Sequence, residues 1–375
     1  MTPIPLAMVG GGPGAFIGPV HRMAAELDGA FVLVAGAFSR DPAKSEQAAR
    51  TWGVRGYDDW RAMIAAEAAR EDGARAVAVV TPNHLHLPVS AAALEAGLHV
   101  MSDKPATLDL AEARTLAGAV AASGRLYGLT YTYTGYPMIR EAREIVRRGD
   151  LGQVRKIVVE YPQGWLSRPI EREGAKQAEW RTDPALAGAG CIGDIGVHAF
   201  NLAEFVGGVR VARLCADVAT VLPGRRLDDD CNVLLRFEGG ARGVLIASQI
   251  SAGARNGLRL QVYGETGGLT WSHEAPDRLT IDWLDGPSHV LHAASPSLSS
   301  VARAASRIPT GHPEGFIEAF ANLYRDFAAA IAGGQPNAGL VPDIAEGVRS
   351  MAFVETALAA SREGAGWVDL DGSLP

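Results

Sequence analysis

Cysteine is scarce in this chain, with three residues in 375, Cys191, Cys215 and Cys231. An odd number of thiols excludes a fully paired disulfide framework and suits a reducing compartment. None of them stands in a C-x-x-C pair, which removes a cysteine-built zinc site. A Lys/Arg-rich block is also missing. The 35 basic residues are scattered against 42 acidic ones, for a net charge of -7, so the footprint of a phosphate-backbone binder is absent and nucleic acid is not an expected partner. No apolar run approaches the ~20 residues that span a bilayer. The first one, residues 6–9, leads straight into glycines with no basic segment before it, so no export signal is read there. Fixed-period repeats and low-complexity tracts are lacking too. The expectation is a cytoplasmic protein with no membrane and no nucleic acid among its partners.

What remains is an ordinary globular composition, 47% hydrophobic and 21% charged, enough for sizeable cores in about two domains. Short apolar runs at residues 6–9, 31–35, 76–80, 99–101 and 127–130 alternate with helical patterns at 19–27, 42–51, 59–71, 88–96 and 109–122. Asp41 followed by Pro42 reads as a helix start, and Gly97 as a helix end. This alternation predicts a parallel sheet covered on both faces, a doubly wound Rossmann-type domain over residues 1–130. The grammar then changes. After a helix at 137–148, strands at 154–161, 210–220, 232–238, 241–250, 259–263, 268–271 and 279–283 follow one another, with a hairpin turn at Phe237–Ala241. Residues 131–375 therefore read as an α+β domain with a large, mainly antiparallel open sheet and helices at 313–332 and 342–362, expected to bind substrate and to carry oligomerisation.

The first strand runs into Gly10-Gly11-Gly12-Pro13-Gly14-Ala15-Phe16-Ile17-Gly18 and then a helix. Glycines at this point let the backbone turn tightly and approach a pyrophosphate that the helix N-terminus attracts. The spacing is not strict G-x-G-x-x-G. Gly10 and Gly12 take the first two roles, Gly18 the third, with Gly14 in the loop between. The end of the second strand reads Phe38-Ser39-Arg40-Asp41. Ser39 and Arg40 suit the phosphate of NADP, while Asp41 suits a helix cap; NAD and NADP both stay open.

Three further segments are Thr81-Pro82-Asn83-His84-Leu85-His86, Asp103-Lys104-Pro105 and Gly190-Cys191-Ile192-Gly193-Asp194-Ile195-Gly196-Val197-His198. With the glycine loop, and in this order, they resemble the glucose–fructose oxidoreductase / inositol dehydrogenase / rhizopine catabolism (Gfo/Idh/MocA) family over essentially the whole chain. Gly311-His312-Pro313-Glu314-Gly315-Phe316 and Tyr161-Pro162-Gln163-Gly164-Trp165 are similar to a branch that includes levoglucosan dehydrogenases. The resemblance implies a nicotinamide-dependent dehydrogenase of a sugar, anhydrosugar or cyclitol. It places the family's active-site lysine at Lys104, in a motif where Asp103 replaces a glutamate, and its catalytic acid and histidine at Asp194 and His198. Where the family often carries an acid three residues after that histidine, this chain has Asn201. The nicotinamide is implied near Pro82, Asn83 and His86, with Lys104 also lining it. In this family the second-domain sheet commonly forms the subunit interface, so a homodimer or homotetramer is expected.

Oxidising a secondary alcohol needs a base for the hydroxyl proton as the hydride leaves. Imidazole titrates near neutrality, which makes His198 the natural base. Asp194, four residues earlier, shares its helical face if Gly196 does not break the turn, and would orient substrate or tune its neighbour. Lys104 follows a parallel strand, where such sheets build their sites, and its ammonium can stabilise a developing alkoxide or, if burial depresses its pKa, relay the proton. The expected constellation is Lys104–Asp194–His198 facing the nicotinamide. Tyr133, Trp165 and Trp180, with Tyr136, are candidates for the wall on which a sugar ring stacks, and Arg181 for a contact with its hydroxyls. His84-Leu85-His86 has no carboxylates beside it, and no metal is expected. The run Asp228-Asp229-Asp230, at a strand start, reads as a solvated loop, with an inward-facing Asp230 as the alternative. Two other readings fit the scaffold: a redox-neutral enzyme that cleaves glycosides through transient NAD oxidation, and a non-catalytic dinucleotide and sugar sensor. The first needs a second base that no motif marks; the second would fit a chain without the lysine and histidine.

Overall fold

The computed structural model describes residues 2–12, 14–333 and 339–374. The chain opens with β1 (Ile4–Gly10), α1 (Ile17–Leu27), β2 (Phe31–Ala37), α2 (Pro42–Trp52), β3 (Arg55–Gly56), α3 (Trp60–Ala69), β4 (Ala76–Val80), α4 (His86–Glu95), β5 (His99–Ser102), α5 (Leu110–Ser123) and β6 (Tyr127–Leu129). The central strands β1 and β4 are continuous buried apolar runs, as a parallel sheet covered by helices on both faces requires. The six strands pair in parallel in the order β3-β2-β1-β4-β5-β6. That order reverses between β1 and β4, and the crevice at the C-terminal ends of such a pair is where open α/β sheets bind ligands. Local chemistry sets the helix boundaries. Asp41, Asp59 and Asp109 each accept backbone N–H bonds at the starts of α2, α3 and α5, and Gly53 and Gly124 close α2 and α5 in the left-handed conformation.

The second part continues with α6 (Pro137–Arg148), β7 (Lys156–Pro162), α7 (Lys176–Arg181), α8 (Pro184–Ala187), a π-helical turn (Ile192–Gly196) leading into α9 (Val197–Gly207), β8 (Val211–Ala219), β9 (Asp230–Phe237), β10 (Arg242–Ser248), β11 (Arg259–Tyr263), β12 (Gly267–Ser272), β13 (Arg278–Trp283), β14 (His289–His292), α10 (Ser300–Ala304), α11 (Phe316–Ile331), α12 (Ile344–Glu363) and β15 (Val368–Asp369). The strands build a nine-stranded sheet ordered β14-β13-β12-β11-β7-β10-β9-β8-β15. The pairings are antiparallel apart from β10 with β7. Alternation along each strand buries one face, through Ile157, Val159, Val233, Leu235, Leu245 and Leu260, as a sheet packed on one side demands. The hairpin between β9 and β10 closes through a turn at Glu238–Gly240.

The chain divides into two compact units, one of Met1–Thr132, Phe320–Val348 and Ser373–Pro375, the other of Tyr133–Ala319 and Arg349–Gly372. The division at 130/131 is thus incomplete as a description, because part of 131–375 returns to the first unit. Packing is the reason. The Tyr324 ring on α11 meets the edge of Phe31 on β2 at 5.5 Å, and Phe327 stacks on Phe31 at 6.4 Å; both helix residues are buried. No helix among the described residues is long and apolar enough to cross a membrane.

Candidate active site

In the first unit the functional segments lie at the C-terminal ends of the parallel strands. Gly10 ends β1 with φ +83°, and a Cβ there would lie 2.4 Å from the Val80 carbonyl oxygen. Gly18, in the first turn of α1, approaches Gly11 so closely that a Cβ would sit 2.1 Å from the Gly11 oxygen. Gly12 backs onto the Phe38 carbonyl, and Gly14 lies in the loop. These contacts form a backbone cradle with no room for side chains, at a helix N-terminus, which suits a dinucleotide pyrophosphate. Gly11 belongs to this cradle as well, although the spacing argument passed over it. Past β2, Asp41 caps α2 by accepting from the Ala43 and Lys44 amides. The Ser39 hydroxyl accepts from the Asp41 amide, and Arg40 is exposed.

After β4, Pro82 leads into a short 3-10 turn at Asn83–Leu85 with Asn83 buried. His86 is buried behind this turn. Its Nδ1 lies 2.7 Å from the Pro105 carbonyl oxygen and its Nε2 2.9 Å from that of Thr81. The ring therefore ties the loop after β4 to the turn after β5. Burial holds its pKa below the ordinary histidine value. Asp103 shapes the same turn, because its Oδ1 accepts from the Lys104 amide at 2.8 Å and from the Thr130 hydroxyl at 3.0 Å. Lys104 follows, half-buried, on that fixed backbone.

In the second unit Asp194 sits inside the π-helical turn and His198 in the first turn of α9. A π turn takes one extra residue per turn and recurs at functional sites; here it leaves the two side chains close to one face, and Gly196 does not break the helix. The turn is held from outside by Asp228. That carboxylate accepts the amides of Gly190 at 2.7 Å and Ile192 at 2.8 Å, while the Asp228 carbonyl accepts the amide of Cys191. Asp229 accepts the amides of Val221 and Leu222 and pairs with buried Arg225. The reading of Asp228-Asp229-Asp230 as a solvated loop is overturned: Asp229 is 0% exposed and Asp228 8%, because backbone donors and a guanidinium compensate their burial.

The Asp194 Oδ2 receives the Gln249 side-chain amide at 2.8 Å and lies 3.4 Å from the Arg181 Nε. Arg181 also stacks on Trp180 at 4.2 Å and donates to Gln177. His198 is buried against the edges of Tyr133 at 5.0 Å and Tyr161 at 6.3 Å. Tyr133, expected on the sugar-stacking wall, is buried with its hydroxyl bonded to Tyr161 and Asn256. Tyr136 is buried too, its hydroxyl 3.0 Å from His273 Nε2. Half-buried Trp165 donates from its indole to Gln163 at 3.0 Å. Burial raises the pKa of Tyr133 and Tyr161, which stay protonated, and lowers that of His273.

The structure holds Asp194, His198, Arg181, Trp180, Tyr133 and Trp165 in one unit, and Lys104, the glycine loop, Ser39, Arg40, Pro82, Asn83 and His86 in the other. Sequence reasoning missed Gln249, Asn256, His273 and the role of Asp228. No local pattern marks them, since each reaches its partner across tens of residues of chain.

Comparison with known proteins supplies an independent view. Residues 4–131 match a family described as "Oxidoreductase family, NAD-binding Rossmann fold", and residues 139–270 match the GFO/IDH/MocA C-terminal domain. An inositol dehydrogenase homologue from Azotobacter vinelandii in complex with NAD+ is 39% identical, covers 98% of this chain and 97% of its own, and superposes with a TM-score of 0.94. Its complex with NADH and myo-inositol gives 37% identity over 98% of both chains and a TM-score of 0.90. The uncharacterized oxidoreductase YfiI of Bacillus subtilis is 32% identical over 98% of this chain and 97% of its own length. Levoglucosan dehydrogenase of Pseudarthrobacter phenanthrenivorans is 25% identical over 99% of both.

Proposed function

This chain belongs to the Gfo/Idh/MocA family of NAD-binding oxidoreductases, and from that membership we propose that it oxidises one ring carbinol of a cyclitol or sugar with NAD+ as hydride acceptor. The observation that carries the reading is the pairing, one π turn apart, of a carboxylate clamped by Gln249 and Arg181 with an imidazole packed between tyrosines. Asp194 beside a guanidinium serves as a fixed acceptor for a substrate hydroxyl. His198 takes the hydroxyl proton. Lys104, on the turn after β5, supplies positive charge to the developing alkoxide. A bound nicotinamide would supply the acceptor for the C–H electron pair; His198 would hold the hydroxyl proton while the carbinol becomes a ketone and NAD+ becomes NADH. Trp165 and Trp180 offer the apolar surface for the ring. NAD rather than NADP is favoured by the Azotobacter homologue with NAD+, with Gly10, Gly12, Gly14 and Gly18 on the pyrophosphate and Ser39 and Arg40 flanking the adenosine ribose.

We further propose a homo-oligomer. On the unburied face of the second sheet, the pairing aligns Cys215, Leu234, Val244 and Val158 in one row across four strands, and Leu234 is 49% exposed. Such a row fits burial against a second copy. The three free thiols suit a cytoplasmic enzyme.

The test is to mix purified protein with NAD or NADP and a panel of inositols, anhydrosugars and sugars, and to follow absorbance of the reduced nicotinamide. The expected outcome is a substrate-dependent rise with NAD that falls at least about a hundredfold in Lys104→Ala and in His198→Asn. Undiminished turnover in either variant removes that residue's role. No rise with any compound, despite dinucleotide binding, removes the dehydrogenase reading.

A further inference from the structure

Asn256 lies in the loop before β11, 58 residues from His198 in sequence, and carries no motif. Its side-chain amide nevertheless has four polar neighbours at hydrogen-bonding distance. Oδ1 accepts from the Tyr161 hydroxyl at 2.7 Å and from the Gln163 side-chain amide at 2.8 Å. Nδ2 donates to the Tyr133 hydroxyl at 3.1 Å and faces His273 Nδ1 at 3.2 Å. A carboxamide has two donor hydrogens and two acceptor lone pairs; both lone pairs and one hydrogen are taken here, while His273 Nδ1 also lies 3.2 Å from the Asn256 backbone carbonyl oxygen. The proton directions then close on themselves. Tyr161 donates to Asn256, so its oxygen accepts from Tyr133, with which it is bonded; Tyr133 in turn accepts from Asn256. The result is a ring of three hydrogen bonds running one way, Asn256 to Tyr133 to Tyr161 and back to Asn256. Gln163 fixes the sense of the amide: its oxygen accepts from the Trp165 indole, a donor only, which leaves its NH2 to donate to Asn256 Oδ1.

The two phenols of this ring are the ones that pack edge-on against His198, at interplanar angles of 83° for Tyr133 and 62° for Tyr161. We propose that Asn256 is a positioning residue for the reaction: it locks the hydroxyls of Tyr133 and Tyr161 in one sense and through their rings holds the imidazole of His198 in its proton-accepting orientation. The proposal rests on His198 being the proton acceptor. The ring can run in one direction only because the amide has a donor end and an acceptor end. A carboxylate at the same place has no donor, so Tyr133 must turn its proton toward it and release Tyr161. Burial keeps both phenols protonated, so neither can substitute as a base while the ring is intact.

The experiment compares Asn256→Asp, Tyr161→Phe and the double variant in the full-length enzyme, with NAD and its best substrate. Asn256→Asp loses the donor to Tyr133 and frees that hydroxyl from Tyr161, whereas Tyr161→Phe removes the two bonds its own hydroxyl makes, and only the first introduces charge. Expected are a tenfold or greater fall in kcat for each, a KM within about threefold of the parent, unchanged NAD affinity, and a larger primary isotope effect on kcat with substrate deuterated at the carbinol carbon. Because both act through one ring, the double variant should be no worse than the poorer single. A kcat within twofold of the parent in Asn256→Asp, multiplicative losses in the double variant, or losses borne by KM overturn the proposal. His198→Asn, run in parallel, separates this from the parent reading: if it keeps full turnover, His198 is not the acceptor, whatever the ring does.

Discussion

His21 on α1 has no exposed surface, and its Nδ1 is 2.7 Å from the Tyr324 hydroxyl. Burial lowers its pKa to about 4, outweighing the pull of nearby Asp103. The unfolded chain binds a proton on this ring below about pH 6.5, whereas the folded chain refuses it until about pH 4. Protons therefore favour the unfolded state across that window, and stability present above pH 6.5 is lost as the pH falls toward 4, by on the order of 3 kcal/mol. His86, also lowered by burial, adds a contribution of the same sign. Urea denaturation between pH 7 and about 4.5 should show the midpoint falling in the parent and falling less in His21→Gln; equal slopes would sink the assignment. Neither residue announces this in sequence. A histidine four positions into a helix is unremarkable, and only burial against α11 makes it a titrating liability.

At the scale of elements, the π turn that carries Asp194 depends on a side chain from another segment. Asp228 accepts the backbone amides of Gly190, just before the turn, and of Ile192, its first residue, from a nearly dry position. The change Asp228→Asn keeps the shape but turns a donor toward one of those amides. Leaving a buried amide unsatisfied costs about 1–3 kcal/mol, so the urea-derived stability should drop by about that amount. Turnover should fall as well, because the segment holding Asp194 and His198 loosens. A variant with parental stability would show that the carboxylate does not hold the turn. The elements themselves were largely legible, since Asp41 before Pro42 marks a helix start and Gly97 a helix end by local chemistry. The acidic run was misread because three adjacent carboxylates look solvated until their backbone donors are known.

For the whole molecule, the nine-stranded sheet leaves one face with an apolar row centred on Leu234 and Val244. Light scattering on the eluted protein should give a multiple of the 39.4 kDa chain mass. Leu234→Arg, which places a charge in the middle of that row, should shift the protein toward the monomer while dinucleotide binding persists. A parent protein that elutes as a monomer at assay concentrations would dispose of the interface.

The sequence by itself determined the two-part architecture and the chemistry-bearing motifs. Period-two and period-3.6 patterning, caps and glycine spacing are local properties, and the glycine loop, Lys104, Asp194 and His198 each stand in a short contiguous segment. Tertiary structure alone decided that α11 returns to cover Phe31 and His21, that Gln249 and Arg181 clamp Asp194, and that Asn256 closes a ring with Tyr133 and Tyr161. The physical reason is range. A cap or a turn is satisfied by residues a few positions away, whereas a buried polar side chain takes whatever partner the packed core brings to it, and nothing in the intervening chain encodes that meeting locally.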